Sequence, residues 1–206
     1  MDGYFDSSSV EKIENSNGQL SLSVSGVDIN TFRPWLDYPA EIISAKGAID
    51  IRGDFNEGQI TQIDSQLDVK NFIKKINKLN EEPLTLKNFK GQISYAIKKN
   101  ITTLTISKFN VVTDNGINID QGEVSLLINN LEKKINHIRI KLNRINLKSA
   151  HELIRHFPYS KSFQSIAQEV SPSGQLKDLK LSWKSANNQF SELDLQSQLL
   201  NVSVNP

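Results

Sequence analysis

The stretch Ile93-Ser94-Tyr95-Ala96-Ile97, then Lys98-Lys99-Asn100, then Thr102-Thr103-Leu104-Thr105-Ile106 decides the fold class. An aliphatic or aromatic residue at every second position gives a strand one dry face and one wet face, and the short polar interruption is a hairpin turn. Working outward, Leu84 and Leu86 lead into the first run, and Phe109 and Val111 continue the second in shifted phase. Asp114-Asn115-Gly116 is a turn signal, because Asn and Gly tolerate left-handed backbone. Val124, Leu126 and Ile128 follow, then Ile138, Ile140 and Leu142, with Ile145 and Leu147 in the other phase. Connections this short predict antiparallel neighbours.

The pattern extends towards both termini. Leu20, Leu22 and Val24 share one side of a strand, and Ile49, Ile51, Gly53 and Phe55 share a face of the next. Asn56-Glu57-Gly58 is the turn into a strand whose phase slips between Ile60 and Ile63, which predicts a β-bulge near Thr61 or Gln62. Leu179, Leu181 and Trp183, a turn at 186–188, and Leu193 and Leu195 close the series. Six of the ten glycines open a similar phrase, at Gly18, Gly47, Gly58, Gly91, Gly122 and Gly174, each followed after one residue by an aliphatic. This reads as a repeated unit of glycine turn and strand. The expected class is mostly β: an extended antiparallel curled sheet, an open β-groove built from repeated hairpins. Short helical inserts are expected near 28–36 (capped by Asp28), 71–79 and 149–170 (capped by Ser149).

Composition excludes several functions. With 24 Lys and Arg against 23 Asp and Glu, there is no long-range field to gather nucleic acid. The absence of cysteine removes disulfides, thiolate nucleophiles and Cys-ligated metal. His151 and His156 stand five apart, about 140° around a helix axis, and so do not share a face for one zinc ion. His137 has no evident partner. Asp50 with Asp54, and Asp64 with Asp68, are pairs that in principle supply acid and base groups, but they fall opposite the aliphatic residues, where a solvated face is expected. With no phosphate loop, nucleophile elbow or dinucleotide fingerprint, the chain is expected to be no enzyme and to carry no metal or cofactor.

The stretch from Pro83-Leu84-Thr85-Leu86 through Gly91-Gln92-Ile93-Ser94-Tyr95 to Ile106-Ser107-Lys108-Phe109-Asn110-Val111 and Asp114-Asn115-Gly116 resembles the YhdP-type proteins of the AsmA-like superfamily. So do Pro172-Ser173-Gly174-Gln175-Leu176 through Trp183, and Gly47-Ala48-Ile49-Asp50-Ile51-Arg52-Gly53-Asp54-Phe55. The resemblance covers most of 18–204 and rests on the order of the phrases. It implies a bacterial envelope protein, anchored in the inner membrane by parts outside this sequence, whose periplasmic trough carries phospholipid towards the outer membrane. On that reading, residues 1–17 are a poorly ordered or incomplete N-terminal segment and 18–206 a groove segment of a longer chain, with further sheet repeats at both termini. The lipid-groove candidates are Ile49, Ile51, Phe55, Ile93, Tyr95, Ile97, Leu104, Ile106, Val124, Leu126, Ile128, Leu179, Leu181 and Trp183. The same period suits a closed sandwich or barrel core. A structural or adhesive β-repeat and a small closed lipid carrier are therefore the competing classes.

Overall fold

The structure, a computed structural model, describes residues 2–5, 16–28, 42–74, 84–114, 116–132, 134–149, 171–186 and 189–205. Ten strands make one antiparallel sheet in chain order: β1 (Asp2–Phe5), β2 (Gly18–Asp28), β3 (Ile42–Asn56), β4 (Gln59–Lys74), β5 (Leu84–Lys98), β6 (Ile101–Thr113), β7 (Asn118–Asn129), β8 (Lys134–Asn146), β9 (Ser171–Ala186) and β10 (Gln189–Asn205). β1 and β10 do not pair with each other, so the sheet is open and not a barrel. This is the expected mostly-β curled sheet.

One rim of the sheet is made of tight turns. Glu57 and Gly58 both take positive φ, 51° and 71°, a geometry that matches the twist of the strands it joins. Lys99 turns the next hairpin at φ 55°, and Asn129 Oδ1 accepts hydrogen bonds from the amides of Leu131 and Glu132 to shape the turn into β8. At the opposite rim β2, β4, β6 and β8 end and β3, β5, β7 and β9 begin.

The bulges follow the phase slips of the sequence. Phe55 pairs with Ile60 and Asp54 with Gln62, which leaves Thr61 as the extra residue; its hydroxyl donates to the Asp54 carbonyl at 3.2 Å. In β6 and β7, Lys108 and Gln121 take φ of 50° and 56° where the register shifts, and Asn110 Oδ1 accepts from the Gln121 amide at 2.9 Å. Those two extra residues return Phe109, Val111 and Ile119 to the face of Ile106 and Val124. Asp178 has φ 53° opposite the interval between Leu142 and Arg144. Successive bulges in neighbouring strands bend a sheet along a line.

The bend gathers the buried core. Phe109, Ile117, Ile119, Leu142 and Ile145 are packed together, with Phe89 from β5 and Leu176 and Leu179 from β9 against them. The cluster and the side chains packed against it span β5 to β9 on one face, which places this face inside the bend.

Two sequence expectations are corrected. Of the repeated glycines, Gly58 is a hairpin turn, whereas Gly18, Gly47, Gly91, Gly122 and Gly174 lie in strands. At Gly18, Gly47, Gly91 and Gly122 the use is steric, while Gly174 also takes the positive φ expected of it, 112°: a Cβ on Gly122 would stand 2.1 Å from Phe109 Cζ, and one on Gly47 would stand 1.9 Å from the Asp68 carbonyl oxygen. A missing side chain makes room for a ring or a neighbouring backbone, so the glycines mark close approach and not the start of each repeat. The expected starts of the helical inserts are also shifted. Asp28 ends β2 and pairs with Lys46, and Asn71–Lys74, expected to open a helix, continue β4 in register with β5. Residues 147–149 are helical, and their cap is Asn146, whose Oδ1 accepts from the Lys148 amide at 2.8 Å, in place of Ser149. The remaining helical expectations, and His151 and His156, lie outside the described residues.

Candidate functional site

Register converts the alternation of separate strands into rows that cross the whole sheet. One row runs Leu22, Ile51, Ser65, Ile93, Ile106, Val124, Ile140, Leu181 and Leu195 from β2 to β10. The next, two residues nearer the tight-turn rim, runs Leu20, Gly53, Ile63, Tyr95, Leu104, Leu126, Ile138, Trp183 and Leu193. A third, at the rim, is Ile97, Thr102, Ile128 and Ile135. With neighbouring strands ~4.8 Å apart, the two long rows form an apolar lane about 38 Å long.

All the groove candidates named from sequence stand on this face. Ile51, Ile93, Ile106, Val124 and Leu181 fall in the first row; Tyr95, Leu104, Leu126 and Trp183 in the second; Ile97 and Ile128 in the third. Ile49 lies between Val24 and Leu67, Phe55 covers Gly18, and Leu179 packs against the buried cluster. Each is half-buried, none fully enclosed. Sequence reasoning left Leu22, Ile63, Ile138, Ile140, Leu193 and Leu195 out of the candidate set. Their alternation was visible, but only the pairing register shows that they complete the rows.

The face is divided by Phe109. On the bend side, Ile117 and Ile145 are 2% and 3% exposed, a sealed core. On the rim side the lane residues inside the sheet are half-buried, apart from the buried Thr102, and exposure rises at the β10 edge, where Leu193 and Leu195 are 51% and 59% exposed. No side chain among the described residues is less than 2% exposed.

The other face is polar across the same strands. Its corresponding row is Ser21, Arg52, Asp64, Ser94, Thr105, Ser125, Arg139, Ser182 and Asp194. Register partners form ion pairs there: Lys90 with Asp68 at 2.7 Å, Lys141 with Glu123 at 2.8 Å, and Lys184 with Glu192 at 2.8 Å. Exposed pairs of this kind contribute about 0–1 kcal/mol each; their main effect is to keep this side wet. A shallow depression of about 650 Å³ is lined mostly by residues of this side, among them Asp50, Arg52 and Asp64, together with Leu22, Ile51, Ser65 and Ile93 of the first row.

The carboxylate pairs are tied into that polar surface. Ser23 donates to Asp50, Gln19 donates to Asp54 at 2.8 Å, and Asp68 is paired with Lys90. The Ser94 hydroxyl and the Gln62 amide, both at 2.6 Å, hold the Asp64 carboxyl below its usual range, with the Arg52 charge adding to the effect. A carboxylate kept ionised in this way is a poor proton donor at neutral pH. His137, without an evident partner in sequence, lies in β8 with Nε2 2.8 Å from Ser182 Oγ. Burial, and then the charges of Arg139 and Lys184, push its imidazole below the ordinary value. Among the described residues no group of three His, Asp or Glu is placed to hold a metal ion.

An open antiparallel sheet with one continuous apolar face and one polar face defines a β-groove protein. The chain belongs to the YhdP family: the family model described as "YhdP protein" matches residues 1–206. The family is one of bacterial envelope proteins of lipid-transport type, not known for catalysis. No curated protein and no solved structure matches the chain. No helix among the described residues is long and apolar enough to cross a membrane.

Proposed function

We propose that the apolar face is a groove that shelters phospholipid acyl chains as they pass between the inner and outer membranes. The observation that carries this reading is the state of the two long rows: apolar on nearly every strand, yet only half-buried inside the sheet and exposed at Leu20, Leu193 and Leu195. A structural β-repeat would bury such rows completely, because apolar surface left in water forfeits about 25 cal/mol per Å². Each methylene covered is worth ~0.8 kcal/mol, so one acyl chain gains on the order of 10 kcal/mol when fully sheltered. A lane of similar side chains has a shallow, repeated profile, which suits passage better than a single deep pocket. On this reading the chain is a periplasmic segment of an inner-membrane-anchored protein, with sheet continuing beyond both of its ends.

The test is to express the chain in a bacterial envelope, purify it without detergent, extract it with organic solvent and identify the lipid by mass spectrometry. Phospholipid in variable amount is expected. A fixed stoichiometry of one lipid per chain would indicate a closed carrier, and lipid-free protein would indicate a structural repeat.

A further inference from the structure

Behind the first apolar row, the other face of the same strands carries two polar rows. One runs Ser23, Asp50, Gln66, Gln92 and Ser107 from β2 to β6, and the next runs Ser21, Arg52, Asp64, Ser94 and Thr105. We propose that these rows form a binding site for a neutral, hydroxyl-rich ligand, an oligosaccharide. The inference goes beyond the groove reading and does not rest on it, because the site and the lane lie on opposite faces.

Three observations carry it. First, the surface is hollow here: the depression of about 650 Å³ spans β2 to β6, and all of its lining except Leu22, Ile51, Ser65 and Ile93 belongs to these two rows. Alternation turns the side chains of those four to the lane, so a ligand in the hollow meets the polar set. The volume is within the range of small-molecule sites, roughly 300–1,000 Å³. Second, some of the polar groups are held and others are left over. Ser23 donates to Asp50, and Ser94 and Gln62 donate to the two oxygens of Asp64, each at 2.6 Å. Arg52, Gln66 and Gln92 are exposed and make no hydrogen bond or ion pair with another described residue. The anchored carboxylates fix the site before a ligand arrives, and the unengaged guanidinium and amides supply both donors and acceptors. Third, the charges select against ions. Arg52 stands opposite Asp64 and two residues from Asp50 and Asp54 on the same face, so an anion at its guanidinium meets three carboxylates. A cation meets Arg52 among those acids, and Asp54 and Asp64 are already engaged by Gln19, Ser94 and Gln62. An uncharged hydroxyl both donates and accepts, which matches the mixed groups on these strands.

The dimensions agree. Five strands ~4.8 Å apart give rows about 19 Å long. A sugar ring is about as wide as that spacing, so successive rings of an extended oligosaccharide meet successive strands.

The experiment uses the whole chain with maltotetraose, cellotetraose and chitotetraose, followed by isothermal titration and by amide chemical shifts. Saturable binding of at least one tetrasaccharide is expected, with shifts centred on Ser21, Arg52, Gln66 and Gln92 and no weakening at high salt. The variant Gln66→Ala, Gln92→Ala should bind about tenfold more weakly, because two side-chain hydrogen bonds are lost. Binding of none of the three sugars, shifts confined to other residues, or undiminished binding by the folded variant overturns the site. Binding of inorganic phosphate in their place, weakened by salt, assigns Arg52 to an anion and also overturns it. Should the double variant not fold, Gln92→Ala alone and the amide shifts of the unsubstituted chain read the same site. The lipid recovered with the chain is expected to be the same with and without the substitutions, so failure of this site leaves the groove standing, and a lipid-free chain leaves this site standing.

Discussion

Substituting Gly122 by Ala isolates the contact that divides the open lane from the sealed core. The added Cβ would stand 2.1 Å from Phe109 Cζ and 2.4 and 2.6 Å from the two Cε atoms, so the ring has to move by roughly 1.5 Å to reach ordinary contact. Phe109 is 7% exposed and touches the buried residues of the bend, and its displacement is an overpacking defect worth about 2–4 kcal/mol. Gly122 is not among the residues with positive φ, so no backbone strain contributes to the cost. The assay is a double-mutant cycle by urea unfolding followed by far-UV circular dichroism. In a Phe109→Ala background, itself about 3–5 kcal/mol less stable, Gly122→Ala should be near neutral, or stabilising by up to ~1 kcal/mol through the smaller entropy of the unfolded chain. The expected coupling is therefore about 2 kcal/mol or more. An equal cost in both backgrounds would refute the ring as the reason for this glycine.

Other outcomes follow from the same register. Leu126→Asp, at the centre of the second row, should abolish lipid crosslinking while leaving the folded sheet intact by circular dichroism; unchanged crosslinking removes Leu126 from the path. Gly47→Ala should destabilise by ~3 kcal/mol or more, because its Cβ would meet the β4 backbone, which cannot rotate away as a ring can; a loss below ~1 kcal/mol in urea would show the strands free to part. His137 has a folded pKa below its unfolded 6.5, so its contribution is complete above 6.5 and is lost as the pH falls through the lower folded value. His137→Gln should therefore flatten the decline in urea midpoint between neutral and mildly acidic pH, and an unchanged decline would assign that loss to other groups.

Strand identity, hairpin turns and even phase slips were legible in the sequence because each has a local cause. The shift from Ile60 to Ile63 marked the Thr61 bulge, and the shift from Ile106 to Phe109 marked the one at Lys108, since a period of two betrays any extra residue. The glycine phrases misled for a related reason. Gly91 and Gly122 resemble turn residues in composition, but the cause of their conservation of space is Phe109 on another strand, and contacts made across the sheet leave no local mark. Residues 71–74 show the same limit: the helical spacing of Phe72 and Ile76 does not reveal that Phe72 pairs with Leu86, and that pairing places Phe72 in a strand. The candidate face was readable as a set of phases, while its continuity from Leu22 to Leu195 required the register.

What covers the open lane can be decided from where its exposure rises. Inside the sheet each lane residue has a strand on either side, and Ile140 and Leu181 are half-buried; at β10 one neighbour is missing, and Leu195 rises to 59% exposed. Contiguous apolar surface of this kind in water marks a contact that remains to be made. A further strand paired to β10 would cover Leu193 and Leu195 but leave Ile51, Ile93 and Val124 as they are, whereas an acyl chain would cover the interior rows as well. Leu195→Asp and Val124→Asp therefore separate the two. If lipid is the guest, both lower the lipid recovered with the folded protein, Val124→Asp the more because it lies between covered neighbours. If only sheet continuation fills the lane, Val124→Asp changes stability alone and no lipid is lost, an outcome that would leave the groove without an occupant.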